Sequence, residues 1–379
     1  MEVGIITLYH KSSNYGGVLQ AYALCSQVNK WFYTQQILYN CAGEKVSASS
    51  KSVKTIVKRV VSRIINKKRN RTLQNRIRVF DSFRIFVPQS EIEYNAQNIY
   101  DCLSKYDVLI TGSDQVWNTQ WYDEVYRLDF VPSEKYKFSY AAGVSSGDLN
   151  IEQQETFRQT LSTYDAISVR EESAVNTLQP LTNKKVEWVL DPTLLLSREE
   201  WDKICSIRKV KDKYIFCYFL GSLSLNNKKI IEFAHKRGLK VVTMPYLAWT
   251  SKKDSDFGDY KIYDAAPQDF ISLIKYAEYV FTDSFHATVF SHIYKKNFFV
   301  FNRAGLKSMN DRIYSLTSLF DTQDRFCDTK EKISLKYIEG LPPINYDRPF
   351  PKFEEMKEKS INFLKDNLKT AEEKIHGNK

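Results

Sequence analysis

The stretch VGIITLYHKSSNYGGVLQAYAL, residues 3–24, begins as an apolar run and continues, after a short polar turn, with the spacing of a helix. An apolar strand that leads into a helix is the first half of a strand–helix–strand unit, in which the strands lie parallel and buried. Gly16 and Gly17 stand where the strand turns into the helix. Such glycines allow a ligand to approach the backbone N–H groups of a helix start, although a tight turn without a ligand explains them equally well.

Strands and helices alternate through most of the remaining chain. Further strands are predicted at 36–40, 107–112, 138–143, 166–170, 186–190, 214–221, 240–244, 279–283 and 298–301, and the clearest helices at 16–31, 225–237, 267–276, 286–294 and 353–373. The stretch LDPTLLLSREEW, residues 190–201, holds a proline and a capping box of Ser197 and Glu200, and it divides two such series. The sequence therefore predicts an α/β fold of two doubly wound domains that face a cleft, residues 1–195 and 196–350. A helix within residues 351–379 is expected to pack back on the first domain.

The composition indicates a protein of a reducing compartment. The 379 residues include six cysteines without close pairs and five scattered histidines, so neither a disulfide framework nor a zinc site is expected. The opening residues lack the apolar length of a secretory signal, and no run of about 20 apolar residues could span a membrane. We therefore expect a cytoplasmic protein.

The net charge of +10 is concentrated in one segment. Residues 51–84 contain twelve lysines and arginines and one acidic residue, whereas the rest of the chain is close to neutral. Within residues 51–71, aliphatic side chains share one face of a predicted helix that basic residues flank. A basic amphipathic helix suits an anionic membrane surface, and a helix packed on the protein is the alternative. We expect the basic insert, residues 51–86, to contact the inner face of the cytoplasmic membrane, and we expect no nucleic acid as a partner.

Ligands of doubly wound sheets bind beyond the carboxyl ends of the strands, so the polar residues that follow each strand are the candidate binding residues. An acid, amides and an indole at a strand end are typical of a rim that faces a sugar, and a helix cap by Ser113 or Asp114 is the alternative. The candidates after the first two of these strands are Asn14, Tyr15, Gly16, Gly17, Ser113, Asp114, Gln115, Trp117 and Asn118.

Two later strand ends carry groups that suit an anionic substrate. Arg170 ends the strand at 166–170. Its planar guanidinium could bind a phosphate or carboxylate of the substrate, or it could pair with Glu171 or Glu172. His286 lies at the start of the helix 286–294, where it could act as a general acid or base. The same helix start also carries the candidates Asp283, Ser284 and Thr288. His292, two turns further on, is expected to be a packing residue.

Taken together and in this order, the stretches NYGGVLQAYAL, DVLITGSDQVWN, YAAG, ISVREE, VLDPTLLL and DSFHATVFS resemble the polysaccharide pyruvyl transferase family over roughly residues 3–320. The resemblance implies two Rossmann-like domains in a glycosyltransferase-B-like arrangement. It also implies transfer of a pyruvyl group from phosphoenolpyruvate to a sugar, usually as a cyclic ketal. Arg170 and His286 fall at positions that the family uses for donor binding and catalysis.

The chain departs from the family at one position. Many members read Arg-Leu-His where this chain reads Ser284, Phe285 and His286, so one cation that would bind the donor is missing. Arg303 or Arg312 could supply that charge. The acceptor that the resemblance implies is a sugar, expected on a lipid-diphosphate-linked oligosaccharide.

The reaction needs a proton donor for the methylene carbon of phosphoenolpyruvate and cations for its two anionic groups. His286 is the predicted proton donor, Asp114 could accept a hydroxyl proton, and no cofactor or metal is required. Two alternatives remain open from the sequence. One is a glycosyltransferase that uses a nucleotide sugar, and the other is a non-catalytic, membrane-associated polysaccharide assembly protein.

Overall fold

A computed structural model describes residues 1–41, 71–119, 123–144, 149–221, 227–245, 257–303, 307–329 and 332–377, without the side chains of 307–309. Most of the basic insert therefore lies outside the described residues. The strands of the first half are β1 (Glu2–Ile6), β2 (Tyr33–Tyr39), β3 (Gln89–Tyr94), β4 (Val108–Thr111), β5 (Tyr136–Ser139), β6 (Ile167–Val169) and β7 (Val186–Trp188). The helices of this half are α1 (Tyr15–Val28), α2 (residues 71–83), α3 (Ile151–Ser162) and α4 (Glu172–Leu178).

The first half forms a parallel sheet with the strand order β3-β2-β1-β4-β5. Single bridges from Phe138 to Ala166 and from Ala142 to Val169 continue it to the parallel pair β6-β7. Because the order reverses at β1, the chain winds outward in both directions from the β1/β4 boundary. This is the doubly wound topology that the alternating pattern predicts.

The second half repeats the same winding. Its strands are β8 (Tyr214–Tyr218), β9 (Lys240–Thr243), β10 (Tyr260–Lys261), β11 (Tyr279–Thr282), β12 (Asn297–Phe301) and β13 (Phe326–Cys327), ordered β10-β9-β8-β11-β12-β13 and all parallel. Its helices are α5 (Arg198–Asp202), α6 (Asn227–His235), α7 (Pro267–Lys275), α8 (Phe285–Ile293), α9 (Lys307–Leu319) and α10 (Leu335–Gly340). The predicted capping box of Ser197 and Glu200 is present at the start of α5.

Each sheet is covered on both faces, as the period of two in a strand requires. In β4, Val108 and Ile110 join one apolar cluster, and Leu109 joins another on the opposite face. In β11, Val280 joins the first of these clusters, whereas Phe281 belongs to a third. One apolar core is therefore shared by the inner faces of both sheets, and each sheet has a second core on its outer face.

The C-terminal helix α11 (Pro351–Gly377) returns to the first domain, as expected. Its Phe363 ring lies 6.1 Å from that of Phe138, and its Ser360 hydroxyl accepts the N–H of Leu190 at 2.8 Å. The hydroxyl of Tyr136 donates a hydrogen bond to the side-chain oxygen of Asn367. The chain therefore passes between the domains twice, once in residues 190–198 and once in residues 346–353.

Three of the described strands were not predicted from the sequence because they lack an apolar run. β3 reads QSEIEY, and it lies at the edge of its sheet with three consecutive exposed residues. β10 and β13 are two residues long, too short to show a period. Edge strands such as these are held by pairing with a neighbour rather than by their own hydrophobicity.

Candidate functional site

The strand orders locate the candidate site without reference to any particular residue. In both sheets the order reverses between the first and fourth strands, at β1/β4 and at β8/β11. Ligands of such sheets bind outside the carboxyl ends of the strands at this switch point. The residues found there are 14–17 and 112–114 from the first domain and 219–221 and 283–286 from the second.

The start of α1 meets the start of α8 across the domain boundary. The Asn14 side chain caps α1 by accepting the N–H of Gly16 at 3.1 Å. A Cβ atom on Gly16 would lie 1.9 Å from Nδ1 of His286. Gly16 is therefore required because the imidazole of His286 packs on its backbone, so this space holds a side chain rather than the substrate.

His286 is positioned by the first turn of α8. The Ser284 hydroxyl caps this helix by accepting the N–H of Ala287 at 3.4 Å. The His286 side chain is 9% exposed, and its Nε2 lies 3.5 Å from Oδ2 of Asp191. The second domain thus supplies the histidine, and the segment that connects the domains supplies its carboxylate.

Asp191 is the functional candidate that the sequence analysis missed. Its carboxylate is fully buried and receives Nη1 of Arg170 at 3.1 Å and the Thr193 hydroxyl at 2.6 Å, besides its contact with His286. Burial alone would raise the pKa of Asp191, but His286 and Arg170 outweigh it and hold the pKa well below its usual range. The sequence holds a signal for this residue, because Asp191 is a carboxylate directly after a predicted strand, in a stretch that both divides the two series and resembles the family.

Arg170 does not stand free as a cation for the donor. Its Nε lies 3.0 Å from Glu171 and its Nη1 lies 3.1 Å from Asp191 and 3.7 Å from Asp114. Burial alone would lower the pKa of Arg170, but these three carboxylates raise it above its ordinary value. The pairing with Glu171 that the sequence left open as the alternative is the one observed.

Arg312 joins the same network from α9. Its Nε lies 3.9 Å from Oε1 of Glu171, and its guanidinium lies over the ring of Phe285, as that of Arg170 does. Burial, followed by the charge of Arg170, lowers the pKa of Arg312 to about 10. Two guanidinium groups thus face three carboxylates, those of Asp114, Glu171 and Asp191, so this cluster carries no surplus of positive charge.

Asp114 and Ser113 lie on the first-domain side of this cluster. Asp114 is 6% exposed, and its Oδ2 would lie 3.2 Å from a Cβ on Gly17, which places the carboxylate against the start of α1. The Ser113 hydroxyl donates to the carbonyl of Ala141, and its N–H donates to Gln20. Both residues are therefore positioned at the switch point, and Ser113 is used in structural hydrogen bonds.

Asp283 and Arg303 form a second, smaller pair beside the cluster. The Asp283 carboxylate accepts the N–H groups of Leu220 and Gly221, each at 2.7 Å, and pairs with Arg303 at 3.2 Å. The Arg303 side chain is 14% exposed, against 1% for Arg170 and 7% for Arg312. Arg303 is therefore the most accessible of the three arginines.

Several predicted binding residues lie in the core instead. Trp117 is 2% exposed and packs edge-on against Phe157 and Tyr164, so it does not form a sugar-facing rim. Asn118 is buried beside it, and Gln115 is half-buried in the same turn.

Tyr15 stacks on Phe270 and donates its hydroxyl hydrogen to the carbonyl of Ala265. The Thr288 hydroxyl donates to the carbonyl of Ser284 one turn back along α8. Trp117 and Tyr15 could not be recognised as core residues from the sequence, because apolar packing of an aromatic ring and stacking on a sugar leave the same pattern.

The described residues contain no group of three or more histidine, cysteine or acidic side chains arranged to hold a metal ion. None of their helices is both long and apolar enough to cross a lipid bilayer.

Comparison with solved structures identifies the fold. The chain superposes on the UDP-GlcNAc 2-epimerase of Methanocaldococcus jannaschii with a TM-score of 0.55 and 14% identity, over 96% of this chain and 99% of that one. The corresponding enzyme of Rickettsia bellii gives 0.53 and 10% identity over 98% and 97% of the two chains. That of Neisseria meningitidis, bound to UDP-GlcNAc, gives 0.51 and 11% identity over 98% and 100%. These likenesses confirm two Rossmann-like domains in a glycosyltransferase-B-like arrangement.

Comparison by sequence identifies the family. No curated protein matches the chain. The family model of polysaccharide pyruvyl transferases matches residues 14–305, well over half of the chain, and this range includes Gly16, Asp114, Arg170, Asp191 and His286. The chain therefore belongs to the polysaccharide pyruvyl transferase family.

Proposed function

We propose that this protein transfers the pyruvyl group of phosphoenolpyruvate to a sugar of a polysaccharide precursor and releases phosphate, with a cyclic ketal as the product. The observation that carries the proposal is the pairing of His286 with the buried Asp191 at the switch points of both sheets, in a member of this family. A carboxylate beside an imidazole can fix the orientation of the ring.

His286 acts in this proposal as the proton donor. Protonation of C3 makes C2 of phosphoenolpyruvate electrophilic, and a sugar hydroxyl attacks C2 and loses its proton. The bond from C2 to the phosphate oxygen then breaks, phosphate leaves, and a second hydroxyl of the same sugar closes the ring with loss of its proton. Asp114 accepts one of the two hydroxyl protons, and phosphate carries another away.

The charge balance of the site bears on where the donor binds. Arg170 and Arg312 are matched by three carboxylates, so they stabilise the site itself and contribute little net attraction for a multiply charged donor. We assign donor binding to Arg303, the most accessible of these three arginines. Arg303 then takes the place of the cation that is missing at Ser284.

A His286→Ala variant tests the proposed proton donor. Loss of one general acid typically costs about 10²–10⁴-fold in rate, so we expect phosphate release from phosphoenolpyruvate to fall by that range while the circular dichroism spectrum is unchanged. His235→Ala is the matched control, because His235 is exposed and its imidazole lies 3.2 Å from Asp259, away from the switch points. Turnover of His286→Ala near the wild-type rate would remove this residue from the mechanism.

The donor itself is tested by comparing two ligands. Phosphoenolpyruvate should raise the melting temperature of the wild-type protein, and mass spectrometry of an acceptor panel should show the added pyruvyl mass with loss of two hydroxyl hydrogens. The structural neighbour from Neisseria meningitidis is bound to UDP-GlcNAc. Stabilisation by UDP-GlcNAc with no response to phosphoenolpyruvate would favour a nucleotide-sugar enzyme instead.

We further propose that the acceptor is lipid-linked and that the basic insert brings the enzyme to an anionic membrane. In the described end of this insert, Leu73 and Ile77 lie one turn apart on α2 and are 41% and 36% exposed, and Ile85 is 80% exposed. Exposed aliphatic residues beside arginines suit a membrane surface. Sedimentation with anionic vesicles should be lost at high salt and in the Leu73→Gln/Ile77→Gln variant, and equal binding to neutral vesicles would contradict the electrostatic part.

A further inference from the structure

Gln20 of α1 carries a buried amide that the proposed reaction does not use. It belongs to the stretch NYGGVLQAYAL, and it is 0% exposed. Its Nε2 donates to the hydroxyl of Thr7 at 3.0 Å and to the carbonyl of Gly17 at 2.9 Å, and its Oε1 accepts the N–H of Ser113 at 3.0 Å. Since a backbone carbonyl only accepts and a backbone N–H only donates, these contacts fix the orientation of the amide.

The amide joins three segments that meet at the carboxyl edge of the first sheet. Thr7 follows β1, Ser113 follows β4, and Gly17 lies in the first turn of α1. The Thr7 hydroxyl donates to the carbonyl of Ser113 at 2.8 Å, so the network holds both the N–H and the carbonyl of Ser113. Thr7 and Ser113 are 2% and 0% exposed. A buried polar network with satisfied members makes the structure around it rigid.

The residue that follows this network is Asp114. Asp114 has a φ of 63°, in the left-handed region that residues other than glycine rarely adopt. Such a conformation persists only where the surrounding structure holds it. The carbonyl of Asp114 accepts the N–H of Gly143 at 2.7 Å, on the side of the turn away from α1. The direction of the Asp114 carboxylate therefore depends on how Ser113 is held, and Gln20 supplies part of that support.

The remaining contact of Gln20 leads to the helix start on which His286 packs. Gln20 donates to the carbonyl of Gly17, and a Cβ on Gly17 would lie 3.2 Å from Oδ2 of Asp114. The neighbouring Gly16 is the residue that contacts the imidazole of His286. One amide thus connects the turn that carries Asp114 to the helix start that contacts His286.

We propose that Gln20 is a positioning residue, which sets the place of the Asp114 carboxylate relative to His286. The inference rests on the proposed function, in which Asp114 accepts a hydroxyl proton and His286 donates a proton to the donor substrate. Gln20 touches neither substrate in this proposal. It acts through Asp114, by holding the Ser113 peptide and the first turn of α1 at a fixed separation.

Gln20→Met tests whether the amide holds the turn, because methionine fills a similar volume without these hydrogen bonds. Gln36→Met is the matched control, since Gln36 is also 0% exposed and donates to the carbonyl of Ala21 in α1, but from β2. Both variants should be destabilised. Hydrogen–deuterium exchange of residues 112–118 should become faster by about tenfold in Gln20→Met only, as expected for the loss of buried hydrogen bonds.

Thr7→Val provides the same test if Gln20→Met does not fold. Valine keeps the shape of the threonine side chain and removes the hydrogen bond to the carbonyl of Ser113. We expect faster exchange of residues 112–118 in this variant as well.

Steady-state kinetics separates positioning from stability. Phosphate release from phosphoenolpyruvate is measured with the acceptor that the panel identifies. In Gln20→Met, kcat should fall by about 10²-fold, as for a misplaced catalytic group, with little change in KM for phosphoenolpyruvate. Gln36→Met should keep the wild-type kcat. Because Gln20 acts through Asp114, the double variant Asp114→Asn/Gln20→Met should be no slower than Asp114→Asn alone.

Unchanged exchange of residues 112–118 in both Gln20→Met and Thr7→Val would overturn the proposal. Equal kcat in Gln20→Met and Gln36→Met would overturn it too, and so would a double variant in which the two losses multiply, because Gln20 would then act independently of Asp114. A failure of the proposed function is seen separately, as absence of phosphate release by the wild-type protein. Faster exchange in Gln20→Met would in that case still support the role of Gln20 in holding Asp114.

Discussion

At the residue scale, the contact between Gly16 and His286 joins the two domains at the candidate site. The imidazole occupies the space that any larger residue at position 16 would need. Each partner lies at the start of a helix, and each helix follows the first or fourth strand of its sheet. The position of His286 therefore depends on how closely the first domain approaches the second.

A Gly16→Ala substitution should displace the imidazole without removing it. Overpacking of this kind costs about 1–3 kcal/mol of stability, and a misplaced catalytic group can lose about 10²-fold in rate. We expect kcat to fall by that order while the protein remains folded, as measured by phosphate release and thermal unfolding. Gly340→Ala is the control, because a Cβ at Gly340 meets no atom within 4 Å. Unchanged kcat in Gly16→Ala would show that the observed position of His286 is not needed.

Asp191→Asn tests the residue that holds Arg170 and His286 together. The substitution leaves Arg170 with less counter-charge, and removal of one partner from a buried ion pair costs about 3–5 kcal/mol. Since Asp191 acts through His286, we expect kcat to fall with little change in KM for the donor. The control is Asp202→Asn, whose partly exposed pair with Lys275 contributes only about 0–1 kcal/mol. Urea unfolding and steady-state kinetics would separate the two contributions. Equal stability of both variants would contradict the role of Asp191.

At the element scale, α8 carries two histidines with different surroundings. His286 in the first turn faces the charged cluster, and His292 near the last turn is enclosed by Phe298 and Phe320. The sequence predicted this division, since the helix start favours chemistry and the interior of an apolar helix favours packing. The ring of Phe298 comes from the strand that follows α8, whereas Phe320 and the polar partner Thr322 come from the residues after α9.

His292 should make the fold sensitive to acid. Its pKa is lowered to about 3 in the folded protein, so between pH 6.5 and 3 the unfolded chain binds a proton that the folded chain does not. Stability contributed by the neutral ring is therefore fully present above pH 6.5 and is lost as the pH falls towards 3, by about 1.4 kcal/mol per pH unit.

Urea unfolding at pH 7, 6 and 5 measures this dependence. His292→Phe retains the stacking shape without the titrating group, so its stability should depend less steeply on pH than that of the wild type. Asp191 adds a further loss of stability at lower pH. The stability that its depressed pKa contributes is complete above the ordinary pKa of an aspartate and is lost as the pH falls below that value. The same slope in wild type and His292→Phe between pH 6 and 5 would show that His292 does not cause it.

At the scale of the whole molecule, the shared apolar core and α11 hold the two domains together. Tyr15 of the first domain packs on Phe270 of the second, and α11 leaves the second domain to cover Phe138 and Tyr140 of the first. The domains therefore do not unfold independently of their contact. We expect one cooperative unfolding transition.

Phe363→Ala tests the contribution of α11. Loss of a buried phenylalanine costs about 3–5 kcal/mol, and here it would weaken the helix that ties the chain back to the first domain. The melting temperature should fall, and a second transition should separate from the first as the domains uncouple. Asn362→Ala is the control, since Asn362 is exposed on the same turn. A melting temperature equal to that of wild type would contradict a structural role for α11.

The amino-acid sequence alone was enough to predict the alternation of strands and helices, the break between the two series and the positions of the switch-point residues. These follow from local rules, because apolar runs, glycines and helix caps act within a few residues of one another. It also assigned the family through an ordered set of short motifs. The family match over residues 14–305 confirms that assignment.

Which charged side chains meet in the cluster depends on the three-dimensional fold. Glu171 is adjacent to Arg170 in the chain, but Asp114, Asp191 and Arg312 reach the cluster from three other elements, and whether Arg170 is free or neutralised depends on all of them. Trp117 likewise became a core residue because Phe157 and Tyr164 fold over it. Electrostatic balance and packing are sums over neighbours in space, so no spacing along the chain could determine them.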